Sequence, residues 1–176
     1  WDEYQVPLRA ALTKAGIGAD LVDTAPDPAK VDYIIFAPNG TITDFSAYTA
    51  CKAVLNLWAG VERIATNLTL TQPLSRLFND ELTDGMVEYV VGHVLRYHLG
   101  MDEHILGQDG VWRNSVLPPL AKERPVAILG LGALGQAAAN ALAALNFPVM
   151  GWSRTAKSLK GIDCRSGHAG LDHVLS

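Results

Sequence analysis

The chain is poor in several things, and each shortage narrows what it can be. Among its 176 residues are two cysteines, Cys51 and Cys164, far apart and in no CxxC pair. That argues against a disulfide framework and fits buried or free thiols in a reducing compartment, so a cytoplasmic location is expected. The five histidines show no HExxH or related spacing, and His93 and His98, five apart, do not share a helix face. No metal site is expected. Charge is sparse at 18%, and acids outnumber bases 18 to 14, for a formal net charge of −4. Such a balance argues against a general nucleic-acid binder. No apolar run reaches the roughly 20 residues of a membrane helix, and the opening residues carry no signal-like stretch, so no membrane partner is expected either. What the chain does have is a hydrophobic content of 49%, which makes it globular, and length for one ordinary domain or two small ones.

The most informative stretch is Val126-Ala127-Ile128-Leu129-Gly130-Leu131-Gly132-Ala133-Leu134-Gly135. Four apolar residues lead into Gly-x-Gly-x-x-Gly, and an alanine-rich helical segment, Ala133–Asn146, follows at once. Glycines in this order are common in loops, but the strand–turn–helix context is the one that dinucleotide binding needs. Gly130 permits the sharp turn, Gly132 lets the backbone approach a pyrophosphate, and Gly135 lets the helix pack on the strand. Ala133 and Leu134 then open the helix, whose N–H groups and partial positive charge face the phosphates.

The next predicted strand, Phe147–Trp152, bears on the choice of cofactor. Binders of NAD place an Asp or Glu at this strand end to hold the ribose 2′-hydroxyl. Here the chain reads Ser153-Arg154-Thr155, with Lys157 close behind. A carboxylate would repel the 2′-phosphate of NADP, whereas Arg154 would pair with it through charge-assisted hydrogen bonds. NADP (as NADPH) is favoured on this logic, and NAD is the weaker alternative.

Periodicity organises the rest into alternating strands and helices. A helix through Tyr4, Leu8, Leu12 and Ala15 should stop at Gly16. Strands are predicted at Ala19–Val22, 32–37, 53–57 and 73–78, with a turn at Pro38-Asn39-Gly40 and a short helix starting at Gly60. A long helix from about Asp84 to Leu106, capped by Thr83 or Asp84, presents Val87, Val90, Val91, Val94, Leu95 and His98 on one face. Residues 107–124 read as an extended connector. The expected organisation is a flavodoxin-like α/β domain over 1–96, lacking its first strand, and an incomplete Rossmann dinucleotide-binding domain over 97–176.

In order and spacing, Asn56-Leu57-Trp58-Ala59-Gly60-Val61-Glu62, Glu88-Tyr89-Val90 and Gly130-Leu131-Gly132-Ala133-Leu134-Gly135-Gln136 resemble the D-isomer-specific 2-hydroxyacid dehydrogenases. Gly85–Tyr89 and Trp152-Ser153-Arg154-Thr155, with Lys157-Ser158 behind, bring the chain nearest the glyoxylate/hydroxypyruvate reductase A branch. The resemblance runs from about Asp32 to the end. It implies that the loop Trp58, Ala59, Gly60 and Val61 offers backbone N–H groups to a substrate carboxylate, for which small side chains are physically suited. It also implies that Met86 faces the nicotinamide side of a cleft and that Asn39 and Gly40 line it, although a Met at helical spacing is more often core. The family's catalytic Arg, Glu and His match nothing here and would lie beyond Ser176, so no catalytic residue is assigned. Asp172 and His173 are neighbours that do not face each other on a helix, and they read as surface residues.

On this resemblance the chain looks like a part, truncated at both ends, of a protein of about 300 residues. The activity implied is NADP-dependent reduction of small 2-oxo acids to D-2-hydroxy acids, in a homodimer. The alternative is a non-catalytic protein of the same fold that senses a dinucleotide.

Overall fold

The computed structural model describes residues 1–112 and 117–176, and its contacts divide into two compact units, Trp1–Phe78 and Asn79–Ser176. Both are α/β with parallel sheets, as expected from the alternation of elements.

The first unit opens with helix α1 (Asp2–Lys14). Gly16 ends it as anticipated, at φ +67°, with its N–H bonded to the Thr13 carbonyl and that of Ile17 to the Leu12 carbonyl. This is the paired C-terminal closure that a left-handed residue allows. The strand expected at Ala19–Val22 is absent: the segment joins no ladder, and the Leu21 carbonyl accepts instead from the Arg9 guanidinium at 3.0 Å. Strands β1 (Tyr33–Phe36), β2 (Ala53–Asn56) and β3 (Leu74–Ser75) form one parallel sheet in that order, with Ile34 opposite Val54 and Val54 opposite Leu74. Between β2 and β3 lies the short helix α2 (Glu62–Ala65). Alternate strand residues point inward, so Ile34, Phe36 and Val54 share a core with Phe45, Cys51 and Ile64. β3 is shorter than the predicted 73–78, because beyond Ser75 the Leu77 N–H turns to the Trp58 carbonyl and leaves the ladder.

The second unit begins with α3 (Asp80–His98). Its cap is Asn79, whose side chain accepts from the Leu82 N–H at 3.1 Å, in place of the expected Thr83 or Asp84. The single helix expected as far as Leu106 is broken at Gly100, with φ +62°, and resumes as α4 (Met101–Leu106). Val90, Val91, Val94 and Leu95 on α3 pack into the core of this unit. That burial is why the contact division falls between Phe78 and Asn79 and not after residue 96. Strand β4 (Val126–Leu129), helix α5 (Ala133–Ala144) and strand β5 (Val149–Ser153) follow as read from the sequence, within a few residues.

A third strand, β6 (Asp163–Ser166), lies outside the strands expected from the sequence, and α6 (Gly167–Leu175) follows it. Asp163-Cys164-Arg165-Ser166 has no apolar alternation to announce it; its pairing with β5, Gly151 opposite Cys164, defines it. The order is β4-β5-β6, all parallel, over a core of Ala139, Leu142, Phe147, Val149 and Ile162. Among the described residues no helix is long and apolar enough to cross a membrane.

Candidate functional site

The turn after β4 is shaped by side chains that are missing. Gly130 sits at φ +111°, which an L side chain rarely adopts, and its N–H continues the β4–β5 pairing by bonding the Trp152 carbonyl at 2.7 Å. A Cβ on Gly135 would lie 1.8 Å from the Gly130 carbonyl oxygen, so only glycine lets the first turn of α5 come this close to the strand. Gly132, at the N-cap, has nothing within 4 Å of where its Cβ would be, so that side of the turn is open. No side chain caps α5 and no acidic residue lies in its first turn. The N–H groups of Ala133, Leu134 and Gly135 thus open a helix with neither a capping side chain nor an acidic residue in its first turn, an arrangement that can hold an anion.

Leu131, between the glycines, turns inward and is 1% exposed. It fills the space above Gly151 on β5, where a Cβ would meet its methyl at 2.6 Å. The Gln136 side chain donates to the Leu131 carbonyl at 2.9 Å, which ties the turn to the helix. Sequence reasoning missed the roles of Gly151 and Gln136; only the contact across β4 and β5 reveals the first.

The β4–β5 pairing brings the end of β5 beside this turn. Ser153 is 8% exposed, and its hydroxyl donates to the Thr155 carbonyl at 2.7 Å, folding the chain back just after the strand. Arg154, Thr155 and Lys157 follow on the exposed loop. Among the described residues Arg154 and Lys157 make no ion pair, whereas Arg165 on β6 is held by Asp163 at 2.8 Å. The hydrogen bond from Arg165, with its charge, keeps the Asp163 carboxyl below the ordinary carboxylate value. His173 on α6 stands 3.8 Å from Asp163 at the surface, and Asp172 is exposed.

In the first unit, the loop after β2 is shaped by a side chain instead. Asn56, 4% exposed at the end of β2, donates through Nδ2 to the carbonyls of Trp58 at 2.6 Å and Gly60 at 2.9 Å. The Leu77 N–H adds a second bond to the Trp58 carbonyl at 3.1 Å, and the Leu57 N–H bonds the Phe36 carbonyl at 2.8 Å. Trp58 and Gly60 are exposed; Ala59 and Val61 are half-buried. A Cβ at Gly60 would meet the Glu62 carboxylate at 2.9 Å, so a negative charge stands beside this loop on a movable side chain. Asn39 and Gly40 form a tight turn, the Gly40 N–H bonding the Ala37 carbonyl at 2.8 Å, and Met86 is exposed on α3.

Comparison with known proteins fits this geometry. Residues 89–176 match the model of the D-isomer specific 2-hydroxyacid dehydrogenase NAD binding domain. Glyoxylate/hydroxypyruvate reductase A of Yersinia enterocolitica is 36% identical over 127 residues, covering 68% of this chain and 41% of its own length. A D-isomer specific 2-hydroxyacid dehydrogenase from Xanthobacter autotrophicus Py2, solved with NADPH and MES, superposes with a TM-score of 0.83 at 34% identity, covering 95% of this chain and 55% of its own. The NADPH-dependent glyoxylate/hydroxypyruvate reductase of Sinorhizobium meliloti, solved with NADP and sulfate, gives a TM-score of 0.79 at 32% identity, over 95% of this chain and 54% of its own. This chain spans about half the length of these relatives. With half of its length matching this family's model, the chain belongs to the D-isomer specific 2-hydroxyacid dehydrogenase family.

Proposed function

We propose that the chain forms part of an NADP-dependent oxidoreductase that reduces small 2-oxo acids of the glyoxylate/hydroxypyruvate type to D-2-hydroxy acids. The observation that carries the cofactor choice is Arg154, unpaired among the described residues, at the β5 end where a carboxylate would otherwise select NAD. The open space at Gly132 and the uncapped start of α5 fit a pyrophosphate, held by the N–H groups of Ala133, Leu134 and Gly135. Arg154, with Thr155 and Lys157, would take the 2′-phosphate, while Ser153 fixes the turn that presents them. The bound nicotinamide supplies the hydride; this chain supplies binding and orientation.

Substrate binding falls to the first unit, through the loop Trp58, Ala59, Gly60 and Val61, and cofactor binding to the second. What supports a homodimer is the exposure of the apolar side chains of Tyr97, Ile105, Leu106, Trp112 and Leu117, surface that a partner would cover. The free cysteines suit a reducing cytoplasm.

The decisive measurement is cofactor affinity. Charge-assisted bonds of about 1.5–3 kcal/mol predict NADPH binding roughly ten- to a hundredfold tighter than NADH. Arg154→Ala should remove most of that gap, and Ser153→Asp should reverse it. Equal affinity for both cofactors before any substitution would refute the assignment. A protein that binds NADPH and never turns over glyoxylate or hydroxypyruvate would be the dinucleotide sensor instead.

A further inference from the structure

We infer that Asn56 is the positioning residue of the loop at Trp58–Val61: by holding two carbonyls inward, it turns the Ala59 and Val61 N–H groups outward toward a substrate carboxylate. The inference rests on the proposed reading of this loop as the carboxylate site.

The argument starts from peptide planarity. In a trans peptide the carbonyl of one residue and the N–H of the next point in opposite directions. The Trp58 and Gly60 carbonyls both accept from Asn56 Nδ2, at 2.6 and 2.9 Å, so both face the interior. The N–H groups that share those two peptide planes belong to Ala59 and Val61, and they must face away from Asn56. One side chain thereby orients two donors, two residues apart, on the side of the loop away from it. Leu77 reinforces the first of these planes through its N–H at 3.1 Å from the Trp58 oxygen; among the described residues Asn56 alone bonds the second.

The orientation of the amide is not arbitrary. Both atoms it faces are carbonyl oxygens, so the group presented to them must be the donor and not the acceptor. The cost appears on the other side. Asn56 Oδ1 is buried and has no hydrogen-bond partner among the described residues. An apolar side chain would sit at the end of β2 beside Val54 without that penalty. What the amide adds at this position is the pair of bonds to the loop.

The charge environment runs the other way and makes the device necessary. Glu62 lies against Gly60, and its carboxylate repels an incoming anion. Outward N–H groups held rigidly offset that repulsion; N–H groups free to rotate would not.

The test uses the protein at its natural full length, with three variants and three readouts. The readouts are KM for hydroxypyruvate, kcat/KM for glycolaldehyde (a carbonyl substrate without a carboxylate) and the Kd of NADPH. Asn56→Leu keeps the number and branching of the side-chain heavy atoms and removes both donors. It should raise KM for hydroxypyruvate by about tenfold or more, leave glycolaldehyde turnover unchanged, and keep NADPH binding intact. Asn56→Asp should show a defect that shrinks as pH falls, because the protonated carboxyl regains a donor. Gly60→Val, which crowds the seat directly, is the control for the underlying reading. If it raises KM while both Asn56 variants leave it unchanged, the assignment to Asn56 is wrong and the carboxylate site stands. If all three leave KM unchanged, the carboxylate site itself is wrong. Should Asn56→Leu fail to bind NADPH, the Asp variant decides, and a defect constant with pH overturns the inference.

Discussion

In the second unit the loop after β4 owes its shape to absent side chains; in the first unit the loop after β2 owes its shape to one that is present. Gly130 takes up a left-handed φ, the Cβ position of Gly132 is open, and Gly135 lets backbone approach backbone, since a Cβ there would come within 1.8 Å of the Gly130 oxygen. Gly60 is a different kind of glycine. Its Cβ would meet only the tip of Glu62, a flexible side chain, while Asn56 sets the backbone from behind. The two loops therefore fail in different ways: one is intolerant of added atoms, the other of lost donors.

The same substitution in the two loops makes the contrast measurable. Gly135→Ala drives a methyl into a backbone oxygen that can move only by displacing β4 or α5. A cost of about 1–3 kcal/mol or more, with NADPH affinity down by at least about tenfold, is expected from denaturant melts and cofactor titration. Gly60→Ala should cost less than about 0.5 kcal/mol and leave cofactor affinity alone. Comparable losses for both would erase the distinction between the loops.

A smaller effect should come from the charge beside the first loop. Glu62→Gln removes a repulsion across a solvent-exposed site, so KM for a 2-oxo acid should fall by roughly two- to threefold at low salt. Added salt should shrink the difference between variant and parent. A KM that rises instead would mean that Glu62 serves the substrate and does not oppose it.

The smallest effect belongs to the β6 pair. Because Arg165 holds the Asp163 carboxyl below its ordinary value, the pair favours the folded state above the unfolded carboxylate pKa of about 4. That contribution is lost as pH falls through the lower folded value. Thermal melts of Asp163→Asn against the parent should show a slight deficit at neutral pH that closes in acid. A gap that widens in acid would contradict the direction of the shift.

The comparison also explains what could be read from sequence. A loop shaped by glycines announces itself, since three of them in fixed order after an apolar strand are visible as letters, and β4, α5 and β5 were placed within a few residues. A loop shaped by Asn56 does not: a single asparagine after Val54-Leu55 has no pattern, and its two bonds exist only once the chain has turned. The β6 strand was missed for a related reason. Its polar residues pair through backbone groups, which carry no side-chain signature. The break at Gly100 was hidden by the helical periodicity on either side, which a single left-handed residue interrupts without disturbing the count. Arg154 could be placed without any contact, as a charge just after β5, and the structure has it there on an exposed loop.

Leu131 and Gly151 carry one further consequence. The leucine fills the room that the glycine leaves vacant, so the two positions hold a single shared volume across neighbouring strands. A larger residue at 151 would push the turn outward into the space before α5 unless position 131 shrank in the same step. Through descent, therefore, these two sites should change together or not at all: one lies inside a motif usually read for its glycines alone, the other on β5.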